Sequence, residues 1–191
     1  MAFDVLTGVK TIKVLVDVYK GAQSISNFFL MKKISAFYEN GDFAEDLLEK
    51  FKCQSIQEWD SVQDIIIHSL TQAESIDKAR YTRMLVNALL NKEIEFVEFE
   101  RLAFVLQQLY SFDIPKIVEI KYDRIIDDGL GSKFASLGLL NKSAPRPKNG
   151  ILGLGDTYLV SSLGHIFIRV FLRDYDEKIK NSPVESVKII V

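Results

Sequence analysis

Residues 133–173 read KFASLGLLNK, then SAPRPKNG, then ILGLGDTYLVSSLGHIFIRVFLR. Phe134, Leu137, Leu139 and Leu140 make a compact apolar helix end, which predicts a helix over 132–141. Pro145, Pro147 and Gly150 stop regular structure behind it. Ile151, Leu152 and Leu154 then precede a turn signal at Gly155–Asp156, and Tyr158 and Val160 alternate with Leu159 as in a half-buried strand. Two short antiparallel strands are therefore expected within 151–161. Ser162 reads as the cap of a closing element from Leu163 to Leu172. Its apolar run suits a buried strand or a helix, and helix is favoured.

The same stretch stands out by charge. It holds Lys133, Lys142, Arg146, Lys148, Arg169 and Arg173 against one acid, Asp156. That is a net +5 in a chain whose total is −2, so the remainder carries −7. Arg146 and Lys148 lie on a proline-stiffened loop. Such a loop can follow a phosphate backbone at little ordering cost.

Upstream, the period is helical. Val5, Val9, Ile12, Leu15, Val16 and Tyr19 recur on one face of residues 3–20, with Gly21 as a stop. A helix from Ile25 to Glu39 follows, with Ser24 or Ser26 as its cap. Its Phe28–Met31 run is apolar on too many sides for a free surface helix. Packing within the monomer is the favoured reading, with a partner or membrane surface as the alternative. Asp42 with Glu45, and Ser55 with Glu58, have capping-box spacing and open two further helices. Phe43, Leu47, Leu48 and Phe51 form the inner face of the first, and Trp59, Val62, Ile65, Ile66 and Leu70 that of the second. Ile76, Ala79, Tyr81, Leu85, Ala88 and Leu89 continue the pattern until Asn91 and Lys92 break it. Phe99, Leu102, Val105, Leu106 and Leu109 mark another amphipathic helix from Phe96. Residues 111–122 read as a short helix capped by Ser111 or Asp113, with Pro115 in its first turn. Asp127–Gly131, DDGLG, is the best linker candidate. The tail from Lys178 to Pro183 is polar.

With 191 residues, 48% hydrophobic and 26% charged, the chain can build a core and is not a disordered polymer. One cysteine, Cys53, leaves no internal disulfide and no cysteine-based zinc cluster. The start lacks a basic n-region followed by an apolar block, and no run reaches a membrane-spanning length. A cytoplasmic location is the resulting expectation.

No catalytic signature survives inspection. Ser161, Ser162 and His165 are close in sequence, but no Gly-x-Ser-x-Gly turn presents a nucleophile. His68 reads as a core or boundary histidine, and it is not at metal-binding spacing with Glu74. Asp127 and Asp128 read as solvated turn residues rather than a cation site. Gly150, Gly153 and Gly155 are followed by a strand rather than a helix N-terminus, so they do not form a phosphate loop. No cofactor and no small-molecule substrate are indicated.

Leu137-Gly138-Leu139-Leu140 before the loop, and Tyr158-Leu159-Val160-Ser161 shortly before Leu163-Gly164, resemble the end of a winged-helix module. The order there is helix, strand, basic wing loop, strand, helix. The resemblance implies that helix 132–141 faces a major groove, offering Lys133, Ser136, Asn141 and Lys142. A broader resemblance runs along the whole chain. FFLMKKISAFYENGDF (28–43), IDKARYTRMLVNALLNKEIEFVEFERL (76–102) and the winged-helix-like end are similar to small bacterial proteins of prophages and other mobile elements, some linked to abortive infection. It carries no functional residue over.

The expectation is thus a mainly α protein. Residues 1–126 form a helical bundle, 132–175 a winged-helix-like unit with a small antiparallel β-hairpin packed on it, and 176–191 a tail. It is expected to be no enzyme but a binding or regulatory protein in gene control or phage–host conflict. Lys133, Lys142, Arg146 and Lys148 would contact nucleic acid. The alternative is a protein–protein module docking through Phe28, Phe29 and Met31 to a partner or a second copy. A membrane surface ranks behind both.

Overall fold

The structure, a computed structural model, describes residues 25–38, 56–122, 128–143 and 157–181. Over these residues the protein is mainly helical with one two-stranded antiparallel sheet. The chain divides into two compact units, Met1–Ser111 and Phe112–Val191.

In the first unit the described helices are α1 (Ile25–Phe37), α2 (Ile56–Gln72), α3 (Ile76–Leu90) and α4 (Phe96–Gln108). Helix α3 is central and touches the other three. Its sequence explains why. Ala79, Thr82, Leu85, Val86, Ala88, Leu89 and Leu90 are all buried, so it has inward residues on several sides. Ser75 caps it by accepting the Lys78 amide at 3.1 Å, and Asn91 with Lys92, at φ 58°, ends it. Helix α4 starts in a capping box between Glu95 and Glu98, and its expected inner face is buried throughout. Ile76, expected inside, is exposed, as is His68 on α2.

Helix α1 departs from expectation. Ile34, Ala36 and Phe37 are buried, but Phe28 and Phe29 are each 57% exposed and Met31 is half-buried. Ile34, Ala36 and Phe37 therefore join the core while Phe28 and Phe29 do not. Residues 3–20 and the helix opened by Asp42 lie outside the described residues, as does Ser55 before α2.

The second unit contains α5 (Lys116–Lys121), α6 (Asp128–Ser136), β1 (Leu140–Ser143), β2 (Thr157–Val160), α7 (Ser162–Phe171) and α8 (Arg173–Asn181). Its core is built from Ile114, Ile117, Val118, Phe134, Leu139, Leu140, Phe167 and Phe171. The Phe167 and Phe171 rings meet edge to face, 4.7 Å between centroids.

Several boundaries differ from the sequence reading. Helix α6 stops at Ser136 rather than 141. Gly138, at φ 76°, turns the chain left-handed, and its amide and that of Leu139 close back on Ala135 and Phe134. Leu140 to Ser143 are thereby freed to form a strand. That strand pairs with β2, with Leu140 opposite Val160 and Ser143 opposite Thr157. The ladder is continued by the Ser161 amide donating to the Leu139 carbonyl. Residues 151–156, with their turn signal, lie outside the described residues.

Asp128 to Gly131, expected as linker, belong to α6. Gly131 is there for close approach, because an added Cβ would run into the Tyr158 ring. Residues 111–115 form turns, so α5 is shorter than expected and Pro115 sits at its N-cap. The Asp113 carboxylate is drawn into ion pairs with Lys116 and Lys133 instead of capping. Ser161 rather than Ser162 caps α7, accepting the Gly164 amide at 3.0 Å. Helix α8 replaces the start of the expected tail; residues 182–191 are outside the described set.

Gly164 is the tightest point of this unit. A methyl group there would collide with the Leu139 carbonyl and with Val160. Because the first obstacle is backbone, Gly164→Ala is expected to destabilise by about 2–3 kcal/mol. Gly131→Ala meets only a side chain that can swing away, and is expected to cost about 1 kcal/mol. Urea unfolding of the two variants checks the order; equal losses would contradict this account of α7 packing.

Candidate functional site

The basic residues singled out by sequence are distributed unevenly over the second unit. Lys133, on α6, is 34% exposed and its ammonium lies 3.8 Å from Asp113, which also pairs with Lys116 at 3.1 Å. Part of its charge is therefore balanced within the unit. Lys142 is exposed on β1, opposite Tyr158, next to the connection between the strands. Arg169 and Arg173 are exposed on α7 and at the start of α8, and His165 is exposed one turn before Arg169. Arg146 and Lys148 lie outside the described residues, within the 144–156 connection that joins the paired strands. Lys121, by contrast, is committed to the unit's own structure. It pairs with Asp176 at 2.8 Å and fixes α8 to α5. Burial works against the Lys121 ammonium, but the bond and charge of Asp176 outweigh it and hold its pKa above the ordinary lysine value.

Helix α6 offers little with which to read bases. Its exposed positions include Gly129, Ser132 and Ser136. The Ser132 hydroxyl shares a 2.9 Å hydrogen bond with the Tyr158 hydroxyl, and that of Ser136 donates to the Lys133 carbonyl at 2.8 Å. Neither arginine nor an amide side chain stands on this helix, and those are the groups that make bidentate contacts to base edges. Asn141, expected at the helix end, is on β1 instead.

The Ser161 and His165 pair has no hydrolytic geometry. Ser161 Oγ donates to the Gly138 carbonyl at 2.6 Å while accepting from Gly164, so one hydroxyl joins the end of α6 to the start of α7. Among the described residues, no group of three or more His, Cys, Asp or Glu side chains is placed to hold a metal.

In the first unit the structure brings together a network that sequence reasoning missed. Lys78 is buried at the first turn of α3. Its ammonium pairs with Glu74 at 2.8 Å and donates to the carbonyls of Leu109 at 2.7 Å and Gln107 at 3.2 Å. The other carboxylate oxygen of Glu74, Oε1, accepts the Ser111 amide at 2.7 Å. All three ammonium protons are thus used, which makes Lys78 a cap for α4 rather than a nucleophile. A cavity of about 10 Å³ beside it, lined by Ser69, Gln72, Thr82 and Gln107, has room for roughly one water and no substrate. The signal was present: 78, 82, 85 and 89 fall on one helical stripe, and Lys78 heads it.

Phe28 and Phe29 stand together on α1, rings 6.0 Å apart and edge to face, with Met31 half-buried in the next turn. Lys32 holds its ammonium 4.7 Å from the Phe28 ring centroid. Comparison with family models, curated proteins and solved structures finds no match for this chain.

The Glu74–Lys78 network makes the first unit sensitive to acid. Partial burial raises the Glu74 pKa, but the hydrogen bond from Lys78, the backbone donors and the Lys78 charge together bring it below the ordinary 4.5. A depressed folded-state pKa gives stability that is present above 4.5 and lost as pH falls through the lower folded value. Glu74→Gln is expected to flatten that acid limb in pH-dependent urea unfolding. Lys78→Met, which strands two carbonyls, is expected to lose about 2–3 kcal/mol at neutral pH. An unchanged midpoint for Lys78→Met would show that the cap is dispensable.

Proposed function

We propose that this is a non-enzymatic binding protein whose second unit contacts nucleic acid through the phosphate backbone. The observation that carries the reading is the β1–β2 register. It makes 144–156 the connection of a hairpin that directly follows α6, and that connection holds Arg146 and Lys148 with Lys142 at its base. Helix, strand, basic loop, strand is the order of a winged helix, in which the loop lies along the backbone. Phosphate contacts fix position without reading sequence. The exposed chemistry of α6, small and internally hydrogen-bonded, suits that role and not base recognition. A protein of this kind would serve gene control or phage–host conflict, as its resemblance implies.

Binding driven by phosphate neutralisation must weaken steeply with salt. In fluorescence anisotropy with a mixed-sequence duplex, removal of each contacting cation should lower the slope of log affinity against log salt by about one. Arg146→Ala with Lys148→Ala is therefore expected to reduce the slope by roughly two. Affinity should fall to a similar extent on unrelated duplexes. Lack of binding by the unaltered protein at low salt, or an unchanged slope in the double variant, would sink the proposal.

A further inference from the structure

We infer that the N-terminal half of α1 is a docking site for an anionic lipid surface. The inference stands apart from nucleic-acid binding, since it concerns another unit and other residues. Helix α1 has apolar residues around its whole circumference rather than along one stripe. A helix of that kind is ordinarily covered on every side. Here α1 packs on α2 and α3 and buries Ile34, Ala36 and Phe37. Phe28 and Phe29 lie nearer the start of the helix, and both remain more than half exposed.

Charge identifies the occupant. Helix α1 carries Lys32 and Lys33 and no acidic residue. A second copy packed symmetrically on this face would set those lysines against their own counterparts. A neutral apolar partner would leave them without a counter-charge. An anionic bilayer surface uses both features at once: rings enter the acyl boundary while lysine stems lie along them and ammonium groups reach headgroup phosphates. The position of Lys32 over the Phe28 ring already has that form. The residues leading into α1 add Lys10, Lys13 and Lys20 against Asp4 and Asp17, so positions 1–38 total +3 in a chain of net −2. An acidic protein segment would share the charge complement. However, between Phe28 and Phe37 the only exposed neutral polar side chain is that of Ser35, which is too little to set the register of a peptide. A fluid surface needs no register. The mode is surface association: among the described residues no helix is long and apolar enough to cross a membrane.

The test is co-flotation of the full chain with vesicles of phosphatidylcholine alone or mixed with phosphatidylserine. Binding is expected only to the mixed vesicles and is expected to weaken with salt. Phe28→Ser with Phe29→Ser should lower partitioning by roughly tenfold or more. Lys32→Gln with Lys33→Gln should lower it about tenfold. Arg146→Ala with Lys148→Ala should leave it nearly unchanged, which separates this site from the basic connection in the second unit. All these variants should keep the unaltered helical circular dichroism. Three results overturn the inference: no phosphatidylserine-dependent flotation, flotation insensitive to the phenylalanine changes, or equal loss in the Arg146/Lys148 variant. A concentration-dependent dimer abolished by the phenylalanine changes would overturn it in favour of a second copy. Saturable binding to a Leu/Glu amphipathic peptide without flotation would overturn it in favour of a protein partner.

Discussion

A helix that ends inside a protein leaves carbonyl groups with no intrahelical donor, and the end of α4 depends on one buried ammonium to satisfy them. Lys78 reaches Gln107 and Leu109 from the first turn of α3, and Glu74 holds both the ammonium and the Ser111 amide. Ser75 caps α3 in the same turn. Three adjacent functions, two caps and a counter-charge, thus fall within residues 74–78. They fix where α3 begins and where α4 stops, and so the packing of Leu85, Leu102 and Leu106 between them. The second unit solves the same problem with a hydroxyl. Ser161 satisfies Gly138 on one side and Gly164 on the other, at the point where α7 comes closest to the chain leaving α6.

Where apolar spacing was long and regular, as in α3 and α4, sequence and structure agree to within a residue or two. The failures concern short elements whose form is set by distant partners. LGLL is equally compatible with a continuing helix and with a left-handed stop at Gly138. What decides is that the Leu139 carbonyl receives the Ser161 amide, a contact that no local pattern contains. Likewise LNKS alternates poorly, yet it forms a strand. Leu140 supplies its one buried position, and Asn141 and Lys142 are exposed. A half-solvated edge hides its periodicity.

Charged residues misled in a different way. Lys78 was passed over because lysine on a helix is normally solvated, although its place on the buried stripe was readable. Lys133 was taken as available, but the Asp113 carboxylate beside it comes from a turn distant in sequence. Phe28 and Phe29 were expected to pack within the monomer, with a partner or membrane surface as the alternative, and they stand exposed. Composition says that a helix needs cover, not that its own chain provides it.

A chain of net −2 can meet polyanions only if its cations are segregated from its acids, and along the sequence they are. Residues 133–173 carry +5, and α1 carries two lysines without an acid. At physiological salt, fields decay over about 8 Å, so an anion at either surface responds to the local charges rather than to the net charge of the chain. Net charge therefore says little about partners in this protein, and its distribution says more. Both candidate surfaces carry cations, but in different physical settings. On the described strands of the hairpin, Lys142 is exposed, with Leu159 as the exposed large apolar side chain. On α1, two exposed rings accompany the charge. Phosphate alone would satisfy the first; only phosphate bordering an apolar medium would satisfy the second.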